Sequence, residues 1–396
     1  MEENNNNNNY TEDDYVTDGY IDAGDGTEKE LEDNSIELME KPFDPTLIKI
    51  ETKQPSLDLL IKRISRNSIQ MDTSDYFQRK DDLWDKTHQS RLIESMLIRF
   101  PLPAFFFDAS DDNNWLIVDG LQRLSSVRNF VLENQPLTNL EFLTHLNGKK
   151  WSDLPENLQR QIEETQVVIY KIMPGTPADV KFNIFKRINT GGLVLEPQEI
   201  RHALFQGSPS KFISELALTK EFKDATQNRI KTHRMLDRDF ANRFLGFYIL
   251  GVENYGTKEY GQDLDTYMSK AMATIYDKSE EELENIKLQF IKSMKLAKTI
   301  FGREAFRKVY RDYDRIPPIN KAYFDAVSTQ LALLSDEEME RLKSNKSILK
   351  KLLKSNLAED GYLFTSMTSA TGDRKRTQYR HNRIKELIQD VINNRL

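Results

Sequence analysis

Cysteine is absent from all 396 residues. That excludes disulfides, thiolate nucleophiles and Cys-ligated zinc. Histidine is scarce, and His88, His145, His202, His233 and His381 are the whole set. No two stand at metal-ligand spacing and no H-E-x-x-H occurs, so a zinc hydrolase is not signalled. The phosphate-cradling patterns G-x-G-x-x-G and G-x-x-x-x-G-K-S/T are missing, as is the G-x-S-x-G nucleophile elbow. No apolar run approaches membrane-spanning length. The densest aromatic cluster, Phe105 to Phe107, is only strand-length. The N-terminus lacks the basic-then-apolar pattern of an export signal. The expectation is a cytoplasmic protein with no membrane partner.

Basic residues are nearly absent from one end. Residues 1–40 hold 14 Asp/Glu against one Lys, so the net charge of −7 for the chain conceals +6 for the remainder. A mildly basic body permits contact with DNA without establishing it. The acidic stretch opens with the run Asn4 to Asn9 and carries few large apolar residues. It has too little to bury to offset the entropy of ordering, and reads as a disordered, solubilising tail. Screening of a basic groove is the secondary reading.

From Pro42 the pattern is globular. Residues 41–207 alternate strands and helices. Helices are expected at Ser56–Arg66, Gln89–Arg99, Leu121–Val131, Pro155–Glu164 and from Thr176 and Pro197. Strands are expected at Ser68–Met71, Ala104–Asp108, Trp115–Val118 and Val167–Ile172. Residues 208–396 carry helical apolar spacing throughout, including one helix over Glu338–Leu353. The basic end around Tyr379-Arg380-His381-Asn382-Arg383 reads as a solvated helix and loop, with nucleic-acid contact as the alternative.

The chemistry-bearing stretch runs from Trp115 to Glu133. A buried strand meets a helix through the turn Asp119-Gly120. Asp119, Gly120, Gln122 and Arg123 therefore sit at a helix mouth, where unbonded N–H groups and the macrodipole favour an anion such as phosphate. The structural alternative is a capping box, with Asp119 as N-cap and Gln122 at N3. Asp119 is placed to hold Mg²⁺ or position a water. Arg123 and Arg79 are suited to neutralise phosphate. Arg187, Asn189, Thr190, Gly191 and Gly192 form either a helix stop or a loop allowing close backbone approach to a ligand. Glu199 and Arg201 are candidates for the same site or for surface pairs.

These motifs in this order resemble the GmrSD-type restriction endonuclease N-terminal family. The order is Phe77-Gln78-Arg79, Leu83-Trp84, Leu92-Ile93-Glu94-Ser95-Met96-Leu97, Pro101-Leu102-Pro103, Val118 to Leu124, Phe185 to Gly192 and Leu195 to Arg201. The likeness covers about Leu57 to Gly207. It implies a ParB/sulfiredoxin-like mixed α/β domain followed by a helical domain. It also implies a D-G-Q-Q-R motif tied to nucleoside-triphosphate binding and hydrolysis in defence against phage DNA. Leu121 stands where the family has the first Gln, so the match carries Asp119, Gly120, Gln122 and Arg123. The His-Asn-His-type nuclease domain of full-length relatives is not signalled, and sulfiredoxin chemistry needs a Cys.

The reading is therefore a Mg²⁺-dependent NTPase module of a restriction-like system. Asp119, Gln122 and Arg123 are its catalytic candidates. Arg79, Gly120, Arg187, Asn189, Thr190, Gly191 and Gly192 are its nucleotide-binding candidates, and Asp119 is its metal ligand. The partners are an NTP, DNA and a separate nuclease or effector protein. The alternative is a non-enzymatic DNA- or protein-binding module with a structural Asp119–Arg123 motif. A self-contained nuclease ranks last.

Overall fold

The structure is a computed structural model that describes residues 23, 25–29, 45–71, 84–188, 195–312 and 316–395. The chain divides into two compact units. One is Phe43–Leu204. The other is Phe205–Leu396 with the described part of Met1–Pro42.

The first unit is mixed α/β. Its strands are β1 (Ile50–Lys53), β2 (Ile69–Gln70), β3 (Phe105–Asp108), β4 (Trp115–Asp119) and β5 (Ile169–Ile172). They form one sheet in the order β1-β5-β3-β4-β2. β1 is antiparallel to β5, β5 parallel to β3, β3 antiparallel to β4, and β4 parallel to β2. The helices are α1 (Leu57–Ser65), α2 (Lys86–Leu97), α3 (Leu121–Val131), α4 (Glu156–Glu163), α5 (Ala178–Ile188) and α6 (Pro197–Leu204).

Helices cover both sheet faces, which explains the unbroken apolar run of β4. Trp115 and Ile117 join a core with residues of α1, α2 and α3. Leu116 and Val118, alternating to the other face, join Val180, Phe185 and Ile200 of α5 and α6. β1 lacks an apolar alternation because it is an exposed edge strand, and the sequence reading misses it.

Helix α2 starts earlier than its apolar pattern. The Asp85 carboxylate caps it by accepting the His88 N–H at 2.8 Å. Its buried polar residues clip loops in place. The Glu94 carboxylate accepts N–H bonds from Glu141, Phe142 and Leu143 at 3.0, 2.8 and 2.7 Å. The Gln89 amide donates to the Trp84 carbonyl and accepts from Asn129 and Gln135. Glu94, which the family likeness singles out, is thus a structural clip.

The described residues of the second unit after Phe205 are helical, as their spacing predicts. The helices are α7 (Ser208–Leu218), α8 (Lys220–Ala225), α9 (Leu236–Leu250), α10 (Leu264–Thr274), α11 (Glu280–Phe301), α12 (Lys321–Ala332), α13 (Asp336–Ser344), α14 (Lys346–Glu359), α15 (Gly361–Ser366) and α16 (Arg374–Ile392). Helix α12 is buried from Ala322 to Ala332, as a central helix must be. Phe324 on α12 packs edge-on against Phe240, Phe306 and Phe222, with centroids 4.9, 4.7 and 6.0 Å away.

Three expectations are corrected here. The helix over Glu338–Leu353 is two helices that break at Asn345. The tail is not wholly without core contact. Thr27 bridges to Ile319, and the buried Glu28 carboxylate pairs with the buried Lys308 ammonium at 2.6 Å. Glu28 needed a distant cation to bury, which composition does not reveal. Neither reading of the basic end fits Arg380 and His381. Both side chains are fully buried, facing Asp325 of α12.

This cluster makes the helical unit acid-sensitive. Burial pushes the His381 imidazole below its ordinary 6.5, Asp325 opposes and Arg380 adds to the depression. Burial alone would raise the Asp325 carboxyl, but Arg380, His381 and Arg243 outweigh it and hold it below 3.8. In both cases the unfolded chain binds the proton more readily. The His381 contribution is complete above about 6.5 and is lost as pH falls from there toward its folded value. The Asp325 contribution follows, lost as pH falls from about 3.8 through its depressed value. Melting temperature is expected to drop from about pH 6.5 downward, and His381→Asn is expected to flatten the upper part of that slope.

Candidate functional site

Strand β4 ends at Asp119, and Gly120 turns the chain directly into α3. Gly120 is the N-cap, with φ +107°, a left-handed value that glycine adopts freely. A Cβ there would lie 2.4 Å from Cδ1 of Phe105. Only glycine satisfies both constraints. Leu124 is the first residue of α3 to bond back, donating to the Gly120 carbonyl at 2.9 Å. The N–H groups of the first turn before it have no acceptor within the helix.

The capping box is not formed, since the N-cap is Gly120 and has no side chain to accept a bond. Asp119, one residue earlier, instead meets the guanidinium of Arg123, with Oδ2 2.6 Å from Nη2. The Arg123 side chain is only 11% exposed, against 38% for Asp119. Its Nη1 donates to the Pro103 carbonyl and, at 3.1 Å, to that of Ala104. Its Cζ lies over the Phe105 ring, 4.6 Å from the ring centroid. Burial lowers the Arg123 pKa and Asp119 opposes that shift. An arginine remains a cation at any working pH.

Arg123, expected from the sequence to neutralise phosphate, is here engaged by the protein itself. The guanidinium is spent on two carbonyls and one carboxylate inside the protein, so it positions Asp119. Arg123→Ala would strand both carbonyls and leave Asp119 without its partner. The expected cost is about 2–3 kcal/mol, read as a lower denaturant midpoint. Retention of wild-type stability would contradict this role.

Gln122 faces the other side of the mouth. Its Oε1 accepts the Trp84 N–H at 3.0 Å. Arg79 and the segment Asn189-Thr190-Gly191-Gly192 lie outside the described residues, but their flanking residues are placed. β2 runs parallel to β4, with Ile69 opposite Trp115 and Gln70 opposite Leu116. The chain thus leaves β2 heading toward the Asp119 end of the sheet, and returns at Trp84 bound to Gln122. Lys181 of α5 is tied to Asp108 at 2.8 Å. Two turns later Ile188 packs on the cluster that holds Val118 and Phe106, and Phe106 is the register partner of Asp119. Arg187 lies exposed in the last turn of α5.

The structure thus brings together Asp119, Gly120, Gln122 and Arg123. Glu199 and Arg201 are not surface pairs, because both are buried in α6. The Glu199 carboxylate accepts the Glu196 N–H at 2.8 Å, and Arg201 Nε donates to Gln198. Residue-by-residue reasoning missed Trp84, Pro103, Ala104 and Phe105 as the frame of the mouth. The Pro101-Leu102-Pro103 motif was the available signal.

No group of three or more His, Asp or Glu among the described residues forms a metal cage. A hard cation held here by Asp119 would take its remaining oxygens from phosphate and water, the usual arrangement for Mg²⁺. Among the described residues no helix is long and apolar enough to cross a membrane.

Residues 58–206 match the family described as "GmrSD restriction endonuclease, N-terminal domain". No curated protein and no solved structure matches the chain. The matched segment ends within two residues of the boundary between the two units.

Proposed function

Residues 58–206 belong to the GmrSD-type N-terminal domain family, and from that premise we propose that this chain is a nucleotide-responsive component of a restriction-like DNA-defence system. In this reading the mouth of α3 binds a nucleoside triphosphate and hydrolyses it. One observation carries the reading. A half-exposed carboxylate, Asp119, is clamped by a largely buried arginine at the N-terminus of a helix. Phosphate would lie against the N–H groups of its first turn and the macrodipole. Asp119 would then position the attacking water, or hold Mg²⁺ against the phosphate oxygens. Arg79, Arg187 and the Asn189–Gly192 loop belong to the proposed pocket because the elements flanking them lead toward the Asp119 end of the sheet. DNA and a separate nuclease or effector are the proposed partners, with the nuclease step outside this chain.

The competing reading is a binding module whose motif is structural. It draws on the same geometry, since Gln122 and Arg123 are both engaged by protein atoms without a ligand. Phosphate release from the four NTPs, with and without Mg²⁺, separates the two. Asp119→Asn keeps an acceptor for Arg123 and should fold normally. Its turnover is expected to fall by about 10²–10⁴-fold, as for loss of a group acting on the proton of the nucleophile. Unaltered turnover, or none in the wild-type chain, would leave the structural reading.

A further inference from the structure

The outer edge of the sheet is longer than β1 itself. From Lys49 to Leu57 the chain keeps one antiparallel register with residues 165–173. The Met173 N–H donates to the Lys49 carbonyl at 2.8 Å, the Val167 N–H to Pro55 at 3.0 Å and the Leu57 N–H to Thr165 at 2.9 Å. Between them Ile50 to Lys53 lie opposite Ile172 to Ile169. In an antiparallel ladder the main-chain groups of successive residues face alternate sides. The odd-numbered residues therefore bond to β5, and the N–H and C=O groups of Ile50, Thr52 and Gln54 face outward. All three residues are exposed. β1 ends the sheet, and among the described residues no strand lies beyond it.

Sheet edges are commonly blunted by lysines of like charge, by proline or by a bulge. Pro55 is the one proline of this run, and its nitrogen is on the β5 side, so it removes no outward donor. The charges alternate in sign. Lys49, Glu51 and Lys53 fall on one face of the strand, and the Glu51 carboxylate contacts Lys53 at 3.0 Å and Lys171 at 2.5 Å. Such a row is complementary to itself when reversed. Two copies paired antiparallel about Thr52 set Glu51 opposite Lys53 twice, Thr52 opposite Thr52 and Ile50 opposite Gln54. Outward groups then meet outward groups. A register centred on Glu51 would do the same, but it sets Glu51 opposite Glu51 and Lys49 opposite Lys53, which like-charge repulsion opposes. A register centred on Ile50 runs the ladder into the tight turn Pro45–Leu47.

We propose that a second copy of this chain docks on this edge, antiparallel and centred on Thr52, joining two five-stranded sheets into one. Main-chain hydrogen bonds of Ile50, Thr52 and Gln54 hold the copies together. The Glu51–Lys53 pairs fix the register more than they add affinity. An edge-to-edge ladder is a small interface, so the dissociation constant is expected to be on the order of 10 μM.

Hydrogen exchange read at single amides, together with sedimentation velocity on the full chain, tests this. Concentrating the protein across that dissociation constant should convert monomer to dimer. The amides of Ile50, Thr52 and Gln54 are then expected to slow by about fivefold, while those of Glu51 and Lys53, already bonded to β5, stay constant. Thr52→Pro removes an outward N–H and keeps the β5 bonds, which an edge strand tolerates. It should sediment as a monomer with Glu51 and Lys53 still protected. Lys53→Glu sets acid opposite acid without touching the backbone, and should weaken association by about tenfold, with a smaller loss at high salt. A single monomeric wild-type species well above the expected dissociation constant would overturn the proposal. So would a dimer of wild-type strength in Lys53→Glu, or a dimer formed with no slowing at Ile50, Thr52 and Gln54.

Discussion

Asp325→Ala is expected to destabilise the helical unit by about 3–5 kcal/mol, the range for breaking a buried charge pair by removing one partner. Asp325 is wholly buried on the central helix α12. Its Oδ2 lies 3.2 Å from Nη2 of Arg380 and 3.4 Å from Nη1 of Arg243, and its Oδ1 is 3.3 Å from His381 Nε2. It faces both guanidinium groups. Arg243 has a second carboxylate, Asp239, at 3.3 Å. Among the described residues Arg380 keeps only neutral acceptors, including the Thr371 carbonyl at 2.7 Å and the Thr377 hydroxyl. Deleting the carboxylate strands the Arg380 charge in the core. A double-mutant cycle with Arg380→Met isolates that pair. The double variant is expected to recover part of the loss, because an apolar pair costs less than an orphaned cation. A loss below about 1 kcal/mol for Asp325→Ala would show that water reaches the cluster.

Gly120→Ala carries the second large effect. The left-handed backbone costs a side-chain-bearing residue about 1–2 kcal/mol. The methyl would also press on Phe105, which is fully buried, at a further 1–3 kcal/mol or so for overpacking. The total expected loss is about 2–5 kcal/mol in denaturant unfolding. Phe105→Leu in the same chain should return part of the steric cost and none of the backbone cost. Because Phe105 also underlies Arg123, the alanine variant is expected to misplace the Asp119 carboxylate, so its defect in NTP turnover should exceed its loss of folded population. A near-neutral Gly120→Ala would contradict the geometry of the turn.

Much of the fold was legible because periodicity reports burial. The run Trp115–Val118 and the spacing of Leu121, Leu124, Val127 and Phe130 located β4 and α3, and the two-sided cover of the sheet explains why β4 does not alternate. Charge and polarity were less legible, because their state depends on partners remote in sequence. Glu28 reads as one more acid of a tail until Lys308 is beside it. Arg380 and His381 read as solvated until α12 presents Asp325. The same limit applies to the candidate site. The sequence brought Asp119, Gly120, Gln122 and Arg123 to one helix mouth, but did not show which protein atoms hold Arg123. The Pro103 and Ala104 carbonyls that claim it come from a segment about twenty residues upstream. Gln122 likewise read as a capping residue because Trp84, its acceptor's true donor, is thirty-eight positions away. Helix breaks were equally hidden, since the apolar spacing of α13 and α14 continues across Asn345.

The central claim is that the mouth of α3 binds a nucleoside triphosphate, and the most direct measurement is ligand-induced stabilisation of the full chain. Each of the four NTPs, with and without Mg²⁺, is added to the wild-type chain and to Asp119→Asn, and unfolding is followed. At a concentration 100-fold above Kd, binding to the native state is expected to stabilise the wild type by about 2.7 kcal/mol. The Asp119→Asn chain, measured against its own ligand-free stability, should gain markedly less at the same concentration. No stabilisation of the wild-type chain by any NTP at millimolar concentration, or an identical gain in both chains, would contradict the account.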